Sequence, residues 1–142
     1  MREIVYRGKT KVISASPYNN GKEDGEWVQG FYYDDVGCSK IKQFELSHAD
    51  YISYEIDPDT RGQYIGRKDK NGNRIFEGDI IKGKAHTYLG YRVKIGVVKY
   101  FDTGFIMDID PNNNNNLDYK NIPNDCKIIG NIYDNPELIK DI

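Results

Sequence analysis

The chain has 142 residues, enough for one domain or two small ones. Hydrophobic residues make up 38% and charged residues 30%, an ordinary globular balance, and no stretch approaches the ~18 consecutive apolar residues of a membrane span. Twenty basic against 22 acidic side chains leave a formal net charge of −2, which argues against a dedicated nucleic-acid binder but leaves room for a local basic patch.

In chain order, Glu3–Arg7 and Lys11–Ile13 read as short strands around Gly8. The N-terminal MREIVYRGKT shows no apolar signal core after its charges, so a cytoplasmic location without a membrane partner is expected. Glu26–Tyr33 (EWVQGFYY) is an aromatic-rich strand that opens after the polar turn Asn19-Asn20-Gly21. In Ser39–Ala49 the positions of Ile41, Phe44 and Leu46 do not settle between helix and strand. Tyr51, Ser53 and Glu55 alternate with Ile52, Tyr54 and Ile56, the period of a strand with one buried face. Tyr64–Lys68 and Arg74–Phe76 flank Asn71-Gly72, a dipeptide suited to the positive φ angles of a type I′ hairpin turn. Gly78 permits a tight corner, and Asp79 can fix it by accepting from neighbouring amides. A short strand Asp79–Lys82 follows. Arg92–Phe101 is a longer strand in which Gly96 suggests a bulge or bend, and Phe105–Ile109 pairs back through Asp102-Thr103-Gly104. Pro111 and Asn112–Asn116 form a low-complexity connection, and Lys127–Asn131 is the last strand. Asn135 as cap, Pro136 at the first helical position and Glu137 at the positive end of the dipole predict a short C-terminal helix.

These elements predict a mainly β protein. A small N-terminal β region would span residues 1–72, and an SH3-like β-barrel with the short helix would span 73–142.

Charge is unevenly spread. Residues 1–60 hold 7 basic and 11 acidic side chains, residues 61–100 hold 10 and 3, and residues 101–142 hold 3 and 8. The middle block carries Arg61, Arg67, Lys68, Lys70, Arg74, Lys82 and Lys84. It would serve either as a phosphate-binding surface or as a partner for the acidic flanks, within the chain or across a subunit interface.

Chemistry-bearing constellations are sparse. Cys38 and Cys126 lack metal or redox spacing and read as idle thiols. The two histidines, His48 and His86, have apolar or loop-like neighbours, and Cys38 with His48 lacks an orienting third group. Asp57 and Asp59 flank Pro58 and read as turn residues. Asp69, Asn71, Asn73 and Ile75 occupy alternate places of a calcium-loop pattern. Arg74 stands where its glycine should be, and Ile80 where its closing glutamate should be, so a bare hairpin is expected. No catalytic residue, metal or cofactor is therefore expected.

Five blocks carry a resemblance: MREIVYRGK, GEWVQGFYY, IDPDTRGQYIGRKDKNGNRIFEGDIIK, GVVKYFDTGFIM and KIIGNIYDNPELI. In this order they resemble the YopX family of phage and prophage proteins. The block from Gly62-Gln63-Tyr64 to Asp79 is the most specific. Ser14–Asp24, Asp34–Ala49 and the Asn run depart from the pattern. The resemblance implies a phage-encoded, mainly β, non-enzymatic protein that assembles into a homo-oligomer. It supplies no catalytic residues; Gly62, Gly66, Gly72 and Gly78 match as backbone positions.

Two function classes follow. One is an interaction module that binds itself and an unidentified protein partner, with exposed Tyr and Trp27 as contact residues. The other is a nucleic-acid-binding accessory protein using Arg61–Lys84. Its candidate contacts are Arg61, Tyr64, Arg67, Lys68, Lys70 and Arg74, with Tyr64 or Phe76 stacking on bases. Asn71, Gly72, Gly78 and Asp79 would set the turns.

Overall fold

A computed structural model describes residues 4–14, 18–102, 104–113 and 118–140. Parts of several expected elements lie outside these: Glu3 of the first strand, Thr103 of the turn after Phe101, Asn114–Asn116 of the Asn run and the last two residues of the C-terminal helix. The chain is built of antiparallel strands and falls into two compact units, Met1–Tyr64 and Ile65–Ile142. The whole Asn71-Gly72 hairpin loop thus belongs with the second unit.

The first unit holds β1 (Tyr6–Lys9), β2 (Trp27–Asp35), β3 (Cys38–Glu45), β4 (Asp50–Glu55), a 3-10 turn at Pro58–Thr60 and the start of β5 (Gly62–Lys68). They are ordered β4-β3-β2-β1-β5. Tyr32 faces Ile41 and Ile41 faces Tyr54 across the ladders. That register lines up one apolar face, where Val28, Ile41, Tyr54 and Ile56 are buried with Tyr6, Tyr32 and Ile52 packed against them. It also settles the ambiguous segment 39–49. With paired strands on both sides and Ile41 fully buried, residues through Glu45 are strand, and Leu46–Ala49 make a turn. Lys11–Ile13 is not a strand. Two residues satisfy it instead of a ladder: Lys11 N donates to Glu55 O at 3.1 Å, Ile13 N to the Glu55 carboxylate at 3.1 Å and Val12 N to Asp24 Oδ1 at 3.1 Å.

Asn19 and Asn20 do more than turn the chain. Asn19 donates to Glu55 O at 2.9 Å and accepts from Glu55 N at 2.8 Å, while Asn20 donates to Ser53 O at 2.6 Å. These side chains occupy Glu55 N, Glu55 O and Ser53 O, outward backbone groups at one end of β4 that another strand would otherwise pair with.

The second unit takes the rest of β5, then β6 (Arg74–Phe76), β7 (Asp79–Thr87), β8 (Gly90–Phe101), β9 (Gly104–Asp108), β10 (Tyr119–Lys120), β11 (Lys127–Asn131) and a 3-10 turn at Pro136–Ile139. Its five-stranded sheet runs β10-β9-β8-β7-β11. The core joins Ile65, Ile75, Ile81, Ala85, Val98, Met107, Ile122 and Cys126.

Five expectations change. The expected SH3-like barrel is an open antiparallel sheet, with β10 and β11 at its edges. The C-terminal helix is only the 3-10 turn. The Asn135 side chain makes no cap bond and turns back to accept from Asn131 N at 3.2 Å. The Asn71-Gly72 turn is not type I′, because only Gly72 has positive φ (83°). Instead, Gly72 N closes a turn on Asp69 O at 3.0 Å, and Asp69 N pairs with Asn73 O at 2.8 Å. The result is a three-residue loop ending in a left-handed glycine. Gly96 marks no bulge, since the β7–β8 register runs through it, pairing it with Ile81. A Cβ there would lie 2.8 Å from Asp108 O and closer still to Met107 Cγ, so glycine permits the approach of β9. Finally, β7 runs five residues further than expected, because Ile81, Gly83 and Ala85 alternate inward against Lys82, Lys84 and His86 outward.

Candidate functional site

The β7 alternation puts Lys82, Lys84 and His86 on one exposed face of the second unit. Register adds a third lysine: β11 pairs antiparallel to β7 with Lys127 opposite Lys82. The β5–β6 loop adds Lys70, whose backbone N donates to Cys126 O at 3.0 Å. That loop is fixed by Asp69, which is buried. Its Oδ1 accepts from Asn71 N at 3.0 Å and Asn73 N at 2.9 Å, and its Oδ2 accepts from Ile128 N at 3.1 Å. Burial works against ionisation of Asp69, but these amides outweigh it and hold the carboxyl below its ordinary value. With both oxygens committed to amides, the calcium-loop pattern describes a hairpin anchor.

Lys70, Lys82, Lys84 and Lys127 line a cavity of about 350 Å³ together with Val93, Ile129 and one carboxylate, Asp125. Asp125 Oδ1 accepts from Lys84 N at 3.2 Å, which ties the loop before β11 to β7. A second cavity of about 600 Å³ shares Lys84 and is lined by His86, Tyr91, Tyr119, Lys120 and residues 121–124. Tyr91 and Tyr119 are 67% and 47% exposed, and His86 meets the Tyr91 ring edge-on at 5.2 Å.

A model of the YopX protein family matches residues 18–140. The chain belongs to the YopX family. No curated protein matches it. The opening MREIVYRGK lies ahead of the region matched by the YopX model, which takes in both units from β2 onward. Among the described residues of this YopX protein, no helix is long and apolar enough to cross a membrane.

The residues singled out from sequence scatter in role. Arg61 lies over the Tyr32 ring at 4.5 Å in the first unit. Tyr64 and Phe76 are buried at 6% and 1% exposure, so neither ring can stack on a base. Arg67 is no phosphate contact. It donates to Ile122 O at 3.0 Å, Pro123 O at 3.3 Å and Asn124 Oδ1 at 3.1 Å, clamping a wall of the second cavity. Lys68 is exposed outside both cavities, and Arg74 is half-buried on β6. At the corner, Gly78 has φ 88° and Asp79 accepts from Phe76 N at 2.8 Å. Trp27 is half-buried beneath Arg7, whose guanidinium lies 4.6 Å from its ring.

Lys127, Tyr91 and Tyr119 are not among the residues the sequence points to, and His86 enters there only as a weak catalytic candidate. The alternation Lys82-Gly83-Lys84-Ala85-His86 was the one available signal, and it marks a strand only if glycine is admitted to an inward position.

Among the remaining chemical candidates, Asp57 caps the 3-10 turn by accepting from Asp59 N at 3.0 Å. The Cys38 thiol is pushed up by its hydrogen bond to Glu55 and then by burial, while His48 meets Ser47 Oγ at 3.1 Å. The Cys126 thiol lies in the core and is pushed up by burial. Neither cysteine is arranged as an activated thiolate.

Proposed function

We propose that this is a non-enzymatic, phage- or prophage-encoded interaction module that assembles with copies of itself in the host cytoplasm. One observation carries the reading. On the face of the first unit's sheet opposite its core, Phe31, Phe44 and Tyr51 stack on one another in the open, with ring centroids 6.0 Å and 5.4 Å apart. They are 56%, 49% and 49% exposed. A connected aromatic patch of this kind marks an interaction surface, because rings gain much burial for little lost entropy. The Asn19 and Asn20 contacts along β4 favour association through this face over strand addition at that edge.

Light scattering at micromolar concentration should give a mass well above the 16.4 kDa of one chain. Phe44→Ser with Tyr51→Ser should return it to that value. A wild-type monomer would end this reading.

A second reading, a nucleic-acid-binding accessory role, draws on the lysine cleft of the second unit. Binding of a labelled oligonucleotide at low salt, abolished as salt rises, would support it. No binding at low salt would end it.

A further inference from the structure

We propose that the two cavities meeting at Lys84 form one site for single-stranded nucleic acid, with Lys70, Lys82, Lys84 and Lys127 on phosphates and Tyr91 and Tyr119 against bases. This rests on the phosphate-binding reading of the lysine cleft and goes beyond it by naming the strand state and the stacking residues.

Charge is the first argument. Four lysines from three elements converge on the smaller cavity against one carboxylate, a net of three positive charges. None of the four is in a salt bridge with a described carboxylate. The carboxylate present, Asp125, is directed at the Lys84 backbone amide. Like charges gathered around one hollow repel each other, and a bound polyanion reverses the sign of that energy.

Shape is the second. Lys82 and Lys84 are two residues apart on one strand, so they lie about 6.6 Å apart. That is the scale of successive phosphates in an extended single strand. The adjoining cavity of about 600 Å³ falls in the range of ligand pockets and presents two half-exposed phenol rings beside Lys84 and Lys120. A cationic track flanked by aromatic faces is the arrangement that holds unpaired bases. In a duplex those faces are already stacked on neighbouring pairs, so Tyr91 and Tyr119 would find nothing to cover. Arg67 acts as a positioning residue, because its three bonds hold Ile122, Pro123 and Asn124 in the wall of this cavity.

The test is fluorescence anisotropy with a labelled 12-mer of thymidine, a duplex of equal length and tripolyphosphate as competitor. The single strand should bind at low salt, with a log–log salt slope of about −2 to −3 if three to four phosphates are neutralised. Tyr91→Ser or Tyr119→Ser should weaken it about 5- to 100-fold, and Lys82→Glu with Lys127→Glu should abolish it. Lys68→Glu should leave affinity unchanged. On the wild type, amide shifts on adding the 12-mer should concentrate at Gly83, Lys84 and Tyr91. If duplex binds equally and the tyrosine variants lose nothing, or if only tripolyphosphate binds, the single-strand inference fails while phosphate binding stands. If nothing binds, both fail. If Lys68→Glu is as damaging as the lysine pair, or the shifts lie elsewhere, the site is wrongly placed.

Discussion

Replacing Asp69 should uncouple the β5–β6 loop from β11, and the size of the effect follows from its three bonds. Asn71 N, Asn73 N and Ile128 N donate to its two oxygens at 3.0, 2.9 and 3.1 Å in a buried setting. In Asp69→Asn one oxygen becomes an amide nitrogen, so at least one backbone donor faces a donor. Hydrogen bonds to a charged group contribute roughly 1.5–3 kcal/mol each. The expected loss is therefore about 2–3 kcal/mol for Asn and about 3–4 kcal/mol for Ala. Urea unfolding, followed through amide signals of Ile81 and Val98, measures it in the unit concerned. Hydrogen exchange at Ile128 should accelerate first. The pH dependence has a fixed sign. The folded carboxyl titrates below its unfolded value of about 3.9, so its contribution is complete above that value and disappears as pH falls through the folded one. The gap between wild type and Asp69→Asn should be flat from neutral pH down to about 5 and then close in stronger acid. A variant as stable as wild type at pH 7, or a gap that widens in acid, would refute the reasoning.

Four further outcomes are expected. Gly96→Ala should cost about 2–3 kcal/mol by overpacking, read as a lower urea midpoint, because its methyl would sit 2.8 Å from Asp108 O. Lys99→Met should cost about 2 kcal/mol, since Asp108 is 2% exposed and, among the described residues, keeps only the Asp110 amide at 3.0 Å once the 2.7 Å ion pair is lost; adding Asp108→Asn should recover part of it. Arg67→Met should speed hydrogen exchange at Asn124 and Asp125 more than in the sheet, since the three bonds it donates end on that loop. Tyr54, pushed up to about 12 by burial and then by the bond it donates to Glu45 at 2.8 Å, should be among the last tyrosines to ionise in an ultraviolet titration; its ionisation with the bulk near pH 10 would contradict that.

Strands that alternate cleanly were readable: Tyr51–Ile56 and Arg92–Phe101 announce themselves by period or by apolar run. The 39–49 segment was not, because only Ile41 is fully buried there and one apolar residue sets no period. The hairpin at Asn71-Gly72 was legible as a hairpin but not as a turn type. The deciding group was the carboxylate of Asp69, two residues earlier, which draws two amides inward and leaves positive φ to Gly72 alone. The C-terminal helix failed for a related reason. Asn135 has the chemistry of a cap, but its oxygen reaches Asn131 N first.

The candidate site was hidden for a deeper reason. Composition assigns charge to a stretch of chain, whereas a binding surface is assembled by register. Within the basic stretch 61–100, Arg67 serves carbonyls, Arg61 serves a tyrosine ring and Lys99 serves Asp108. None of these is available to a ligand without breaking a contact in the fold. Acidic residues are diverted in the same way: Asp69, Asp79 and Asp125 each accept from a backbone amide. Among the described residues, neutralisation within the chain by the acidic flanks therefore accounts for Lys99, while the lysines along β7 form no ion pair with a described carboxylate. Lys127, which comes from the net-acidic last third of the chain, joins those lysines only because β11 pairs antiparallel with β7 and is in register at Lys82. A one-residue slip of β11 would turn Lys127 to the other face of the sheet. The bulge between Ile128 and Gly130 lets Lys127 keep its face while Gly130 and Asn131 continue the pairing toward Asp79.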